Sequence, residues 1–220
     1  MKKFRAAIFD MDGTLTDTIE DLRYSMDKML EHYNFPTITL EQTKKFVGNG
    51  ARKFLLRSLP EEVADDEILV EEALNFYNEF YVANCTRSVK PYSGIMDMLT
   101  ELTAKKIPLG ICTNKQHGAA VTIAEKILAP IKFAAVSGDE FKLPRKPNPT
   151  RALTIAQQIG VAPEEVAYFG DTAVDVDTAI NAGFLPVAVT WGFRPRSELV
   201  NAKIIVDTPQ EILDLINFVR

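Results

Sequence analysis

The sequence predicts an α/β protein, a doubly wound parallel sheet interrupted by an all-helical insert, and three observations carry that expectation. Short apolar runs alternate with longer stretches of helical periodicity, the pattern of strands buried on both faces. One long interval near the N-terminus shows helical periodicity alone. Four segments rich in chemically capable side chains each come after one of the apolar runs.

The predicted strands are Phe4 to Phe9, Ile107 to Cys112, Phe133 to Val136, Val166 to Phe169, Leu185 to Val189 and Lys203 to Val206. Between them, Ser93 to Lys105 carries Ile95, Met98, Leu99 and Leu102 at helical spacing. Thr172 to Ala182 reads as a helix stopped by Gly183, a residue suited to the left-handed position that ends helices. Thr208-Pro209 starts the last helix. From 18 to 85 only helical stripes occur: Ile19, Leu22, Met26, Met29, Leu30 and Tyr33 mark one helix, and Thr39 with Gln42 forms a capping box opening another. An insert of about 70 residues is too long for a simple connection. The segment 137–149, with Pro144, Pro147 and Pro149, has no period and reads as a loop; Lys142, Arg145 and Lys146 lie in it.

With 46% apolar and 25% charged residues among 220, the chain is of ordinary globular composition. Its 25 basic and 30 acidic side chains give a net charge of -5, the wrong sign for a nucleic-acid surface. No apolar stretch is long enough to span a membrane, and the basic start at Met1-Lys2-Lys3 meets Asp10 and Asp12 before any signal-like apolar region. A cytoplasmic enzyme acting on a small molecule, monomeric or homodimeric, is the expectation. Cys85 and Cys112 have no partner at metal or redox spacing, and neither is given a role.

Asp10, Asp12 and Asp17 crowd into the stretch Phe9-Asp10-Met11-Asp12-Gly13-Thr14-Leu15-Thr16-Asp17-Thr18, directly after an apolar run. Carboxylates so close repel, so either they form a solvated turn or something positive, a metal or a phosphate-binding lysine, sits among them. Asp10 and Asp12 are two apart, which in extended backbone points both side chains the same way. The other segments are Thr113-Asn114-Lys115, Lys146-Pro147-Asn148-Pro149 and Gly170-Asp171-Thr172-Ala173-Val174-Asp175. A parallel sheet gathers the ends of its strands on one edge, where such folds bind ligands. Asp17 and Asp21 read as first-turn residues of the helix that follows, and His32 and His117 as packing or surface residues.

These four segments together resemble the signature motifs of the haloacid dehalogenase superfamily, in its phosphatase branch. The resemblance implies a Rossmann-like core over 1–16 and 87–220 and a helical cap domain over 17–86. It implies Asp10 as nucleophile, forming an aspartyl-phosphate, and Asp12 as general acid and base. Thr113 and Lys146 match the phosphate-binding positions, with Asn114 adding a backbone amide. Mg2+ is implied at Asp10, the backbone carbonyl of Asp12, and Asp171, with Asp175 organising the site. Asp139 matches a supporting carboxylate.

Within the insert, Gly48, Asn49, Gly50 and Arg52 resemble the substrate-facing loop of phosphoglycolate phosphatases, and Thr190-Trp191-Gly192-Phe193 resembles a later segment of that subfamily. The implied substrate is a small phosphorylated metabolite, 2-phosphoglycolate first, with Arg52 facing its carboxylate. A phosphotransferase of the phosphoglucomutase type, a generalist sugar-phosphate phosphatase, and a phosphorylated or phosphate-sensing non-enzymatic module are the alternatives.

Overall fold

The computed structural model describes residues 4–140 and 143–217; Met1, Lys2, Lys3 and Lys142 lie outside them, as do the last three residues of the predicted core. Its centre is a six-stranded parallel sheet. The strands are β1 (Ala6–Phe9), β4 (Leu109–Gln116), β5 (Ala135–Asp139), β6 (Val166–Gly170), β7 (Leu185–Val189) and β8 (Ile204–Val206), in the order β5-β4-β1-β6-β7-β8. A second pair, β2 (Thr16–Asp17) and β3 (Lys90–Pro91), is antiparallel.

β1 shows why the sheet is buried on both sides. Ala7 and Phe9 face one apolar cluster, while Ala6 and Ile8 face another with Cys112, Ile155 and Tyr168. Alternate residues of a strand point to opposite faces, so a four-residue apolar run serves two cores at once. Phe9 and its neighbour Phe169 on β6 stack with ring centroids 4.8 Å apart.

The helices α5 (Ile95–Ala104), α6 (His117–Lys126), α7 (Thr150–Ile159), α8 (Ala173–Ala182) and α9 (Pro209–Asn217) flank the sheet. α8 ends as expected at Gly183, with φ 74, where its amide and that of Phe184 close the last turn on Ile180 and Ala179.

Between β2 and β3 the described chain is helical: α1 (Ile19–His32), α2 (Leu40–Phe46), α3 (Ala51–Ser58) and α4 (Glu67–Asn84), with a 3-10 turn at Glu61–Val63. Asn34, at φ 59, takes the left-handed position after α1, and Phe35 N bonds Leu30 O. The Thr39 and Gln42 capping box has both of its reciprocal hydrogen bonds, 2.9 and 3.2 Å. Asp21 does more than start a helix: it is buried, and its Oδ2 accepts the Ser88 amide at 2.9 Å, tying the returning chain to α1. Asp17 is exposed and accepts the Ile19 amide at 3.3 Å, a helix-start contact.

Several boundaries differ from the sequence reading, most of all the ends of two strands. β4 runs on to Gln116 and β5 to Asp139, so Thr113, Asn114 and Lys115 are strand residues, as are Ser137, Gly138 and Asp139 of the predicted loop. Polar site residues interrupt the apolar run while the ladder continues, with a register shift between Cys112 and Gln116. Among the described residues, no helix is long and apolar enough to cross a membrane.

Phe169→Ala would empty space at the centre of the sheet. It is expected to cost about 3–5 kcal/mol, read as a lower urea midpoint with an unchanged slope.

Candidate active site

β1 hands the chain to a tight loop. The Asp10 amide still bonds Phe169 O at 2.9 Å, and then Met11 O accepts the amides of Leu15 and Thr16, both at 3.0 Å. Gly13 makes the turn with φ 79, and a β-carbon there would collide with the Asp171 carboxylate. The loop thus holds Asp10 and Asp12 at the carboxyl edge of the sheet.

β6 ends at Gly170, and Asp171 follows, fully buried. Its Oδ2 accepts the Phe193 amide at 2.8 Å and its Oδ1 the Thr14 hydroxyl at 3.2 Å. Thr172 caps α8, and its hydroxyl and amide both donate to Asp175 Oδ2, at 2.6 and 3.1 Å. Asp175 Oδ1 faces outward to Lys146 Nζ at 2.6 Å. Lys146 also meets Asp10 Oδ1 at 3.0 Å, and its side chain is only 2% exposed.

One carboxylate oxygen from each of Asp10, Asp171 and Asp175 lies within 4.8 Å of the others. Burial raises the Asp171 carboxyl well above its usual range, helped by the negative charges of Asp175 and Asp10. Burial and Asp10 push Asp175 up to about 6, against the pull of Lys146. Burial by itself would lower Lys146, but Asp10 and Asp175 outweigh it and hold the ammonium above its ordinary value. Fully ionised, three carboxylates around one ammonium would carry two negative charges without a partner, and the raised Asp171 and Asp175 carboxyls express burial together with that repulsion. An oxygen-only set of this charge fits a hard divalent cation. The Asp12 side chain lies outside the set.

Asp12 belongs to a second group. Its Oδ1 accepts the Thr18 hydroxyl at 2.7 Å and pairs with Lys115 Nζ at 2.8 Å. Lys115 Nζ also donates to the hydroxyl of Tyr81 on α4. Burial, then the charge of Asp12, keeps that phenol well above its usual pKa and hence neutral.

Thr113 and Asn114 come from the end of β4. Asn114 exchanges two hydrogen bonds with the backbone of Lys146, accepting its amide at 2.9 Å and donating to its carbonyl at 3.2 Å. Arg151, 2% exposed, donates to Asn114 Oδ1 at 2.7 Å and to Thr113 O at 2.8 Å. The Asn114 side chain therefore anchors the lysine loop. Arg145 in that loop pairs with buried Asp139.

Asp10, Asp12, Thr113, Asn114, Gly48 and Gly50 line one cavity of about 60 Å³, beneath the helical segment. Asn49 and Arg52 are not among its lining residues. Asn49 accepts from Arg57 at 2.9 Å, and the Arg52 guanidinium is drawn across the surface to Glu67, at 2.7 Å, and Glu71 on α4. The sequence expectation put Arg52 at a substrate carboxylate; here its guanidinium pairs with two carboxylates of its own segment and does not line the cavity.

The lining also contains residues the sequence did not single out: Lys115, Tyr77, Asn78, Tyr81 and Arg194. Tyr77 and Tyr81 are four apart on a helix and read as core. Lys115 carried a signal, a lysine closing an apolar strand. Arg194 sits in a loop with no pattern; its guanidinium reaches the carbonyls of Lys45 and Val47, at 3.1 and 2.9 Å, and joins the core to the helical segment. Trp191 is drawn into the site framework, donating to Thr14 O at 2.9 Å, and at Gly192 a β-carbon would strike Asp171. His32 stacks on Phe76, and His117 pairs with Glu140 at 3.3 Å.

A family model described as haloacid dehalogenase-like hydrolase matches residues 7–189. A phosphoglycolate phosphatase of Chromobacterium violaceum is 33% identical over 98% of this chain and 97% of its own length. One of Xanthomonas campestris pv. campestris is 32% identical over 94% of each. A crystal structure from Lactobacillus delbrueckii subsp. bulgaricus superposes with a TM-score of 0.89 at 27% identity, covering 98% of this chain and 99% of that one.

The raised Asp171 carboxyl sets a pH dependence. A raised folded-state pKa contributes stability that is complete below the unfolded value of 3.8 and lost as pH rises through the folded value. In chelator, Asp171→Asn is therefore expected to raise the melting temperature at pH 7.5, with the gain shrinking towards zero near pH 4. Thermal melts of both proteins across that range check it.

Proposed function

The chain belongs to the haloacid dehalogenase-like hydrolase family and is a phosphoric monoester hydrolase, and from that premise we propose that it cleaves a small phosphate ester through an aspartyl-phosphate on Asp10, with Mg2+ bound, 2-phosphoglycolate being the leading substrate. The observation that carries this reading is the pairing of Asp10 with the buried ammonium of Lys146, beside a half-open cavity that Asp10 and Asp12 both line.

Asp10, Asp171 and Asp175 would hold Mg2+, together with the backbone carbonyl of Asp12. When bound, the cation supplies charge neutralisation for the phosphate oxygens. Lys146 orients the Asp10 carboxylate and offers its remaining hydrogen to a phosphate oxygen, with the Thr113 hydroxyl beside it. Asp10 attacks phosphorus while Asp12 protonates the departing alkoxide; Asp12 then takes a proton from the water that releases phosphate. With the helical segment seated, bulk water is excluded from the nucleophile, which strengthens each of these interactions.

For the substrate, a cavity of about 60 Å³ suits a short carbon chain rather than a nucleotide. Arg194 and Lys115 line it as cations, together with Asn78, and Gly48 and Gly50 let backbone approach closely. The phosphoglycolate phosphatases among the relatives support a short acid as the leaving group. The acid carboxylate would face Arg194, which lines the cavity where Arg52 does not, and whose Nη2 is held by the carbonyls of Lys45 and Val47.

Phosphate release should be measured from 2-phosphoglycolate, sugar phosphates and nucleotides, with and without Mg2+. The expected result is a clear preference for 2-phosphoglycolate and no turnover in chelator; a flat profile would remove the substrate assignment, and net transfer to a sugar exceeding hydrolysis would indicate a mutase. Asp10→Asn is expected to lower kcat by more than about a thousandfold while leaving the melting curve cooperative.

A further inference from the structure

Two lysines are buried at this site, and the reaction on Asp10 uses one of them. The other, Lys115, has a side chain only 1% exposed and makes its ion pair with Asp12, at 2.8 Å. Thr18 donates to the same oxygen, Oδ1, at 2.7 Å. Two donors on Oδ1 leave Oδ2 to handle a proton.

An aspartate carboxyl turns readily between two equivalent orientations, since its last torsion is broad and two-fold. A general acid gains nothing from such freedom, because its proton must lie within hydrogen-bond reach of the leaving oxygen. We propose that Lys115 is a positioning residue for Asp12, pinning Oδ1 so that Oδ2 faces the leaving oxygen, and that Tyr81 ties this placement to the seating of the helical segment. The proposal rests on Asp12 being the general acid.

The chemistry balances at each half. As the ester P–O bond breaks and the Asp10–phosphorus bond forms, the proton on Asp12 Oδ2 passes to the ester oxygen. Asp12 is left anionic, and Lys115 and Thr18 face that anion on its other oxygen. In the second half, water attacks phosphorus, its proton returns to Oδ2, and the Asp10–phosphorus bond breaks. Tyr81 enters from α4, its ring stacked on Tyr77 at 5.8 Å, so the hydrogen bond from Lys115 to its hydroxyl crosses from core to helical segment.

The experiment compares kcat/KM, which reports the step up to the phosphoenzyme, on esters that need a proton and one that does not. 2-Phosphoglycolate and glycerol 2-phosphate release alkoxides; p-nitrophenyl phosphate releases a stable phenolate. Lys115→Met is expected to lower kcat/KM on both alkyl esters about 10- to 100-fold, a general-acid share, and on the aryl ester no more than about 3-fold. Tyr81→Phe should shift the ratio the same way by less, and it carries the test if the methionine variant does not fold. Asp12→Asn provides the reference pattern.

If Asp12→Asn separates alkyl from aryl esters and the Lys115 and Tyr81 variants lose all substrates equally, or none, the positioning role is overturned and the acid assignment stands. A loss confined to 2-phosphoglycolate overturns it too, making Lys115 a partner of the substrate carboxylate. If Asp12→Asn itself shows no separation, the acid assignment fails and the positioning role falls with it.

Discussion

The buried ammonium of Lys146, set between the carboxylates of Asp10 and Asp175, is the interaction on which the rest of the site depends. A lysine this deep is costly unless it is paired, and the two carboxylates are costly without it. Each partner comes from a different element: Asp10 from the end of β1, Asp175 from the first turn of α8, Lys146 from the segment between β5 and α7. The pairing is therefore possible only where β1 lies beside β6 and the sheet order turns about β1. Asn114 and Arg151 keep the lysine loop at that point.

Around this centre the charges divide into two groups. Asp10, Asp171 and Asp175 gather near Lys146 with carboxylate oxygens, a donor set that suits a hard divalent cation. Asp12 pairs with Lys115 and accepts the Thr18 hydroxyl. The separation gives two carboxylates only two residues apart in sequence different surroundings, the condition under which neighbouring groups of one kind can take different chemical parts, as the proposed function requires of them. The Asp10 side is buried among like charges, whereas the Asp12 side chain is 20% exposed and opens to the cavity.

The helical segment meets the site through polar contacts set among apolar residues such as Phe54, Tyr77 and Tyr81, which share one buried cluster with Phe9 and Met11. Arg194 holds the carbonyls of Lys45 and Val47, Asn114 reaches Gly48 O at 3.3 Å, and Lys115 meets Tyr81. The segment leaves and rejoins the core at β2 and β3, an antiparallel pair outside the main sheet.

Strand and helix order, the helical insert and the residues of the four motifs were legible in the sequence, because buried parallel strands are written as continuous apolar runs and a capping box or a terminal glycine is a local signal. Asp10, Asp12, Lys146, Asp171 and Asp175 could be named because their segments resemble the family's motifs and the fold class brings strand ends together. The direction of long side chains could not be read. Arg52 turned to Glu67 and Glu71, while Arg194, from a loop without period, reached the cavity. Lys115 was visible as a residue but not as the partner of Asp12, since that pairing requires β4, β1 and α4 to meet. The sequence determined which elements form and which edge of the sheet carries the chemistry, as local propensity and apolar period are properties of short windows. Tertiary structure decided which carboxylate each cation serves, because ion pairs across elements depend on distances that no window of sequence contains.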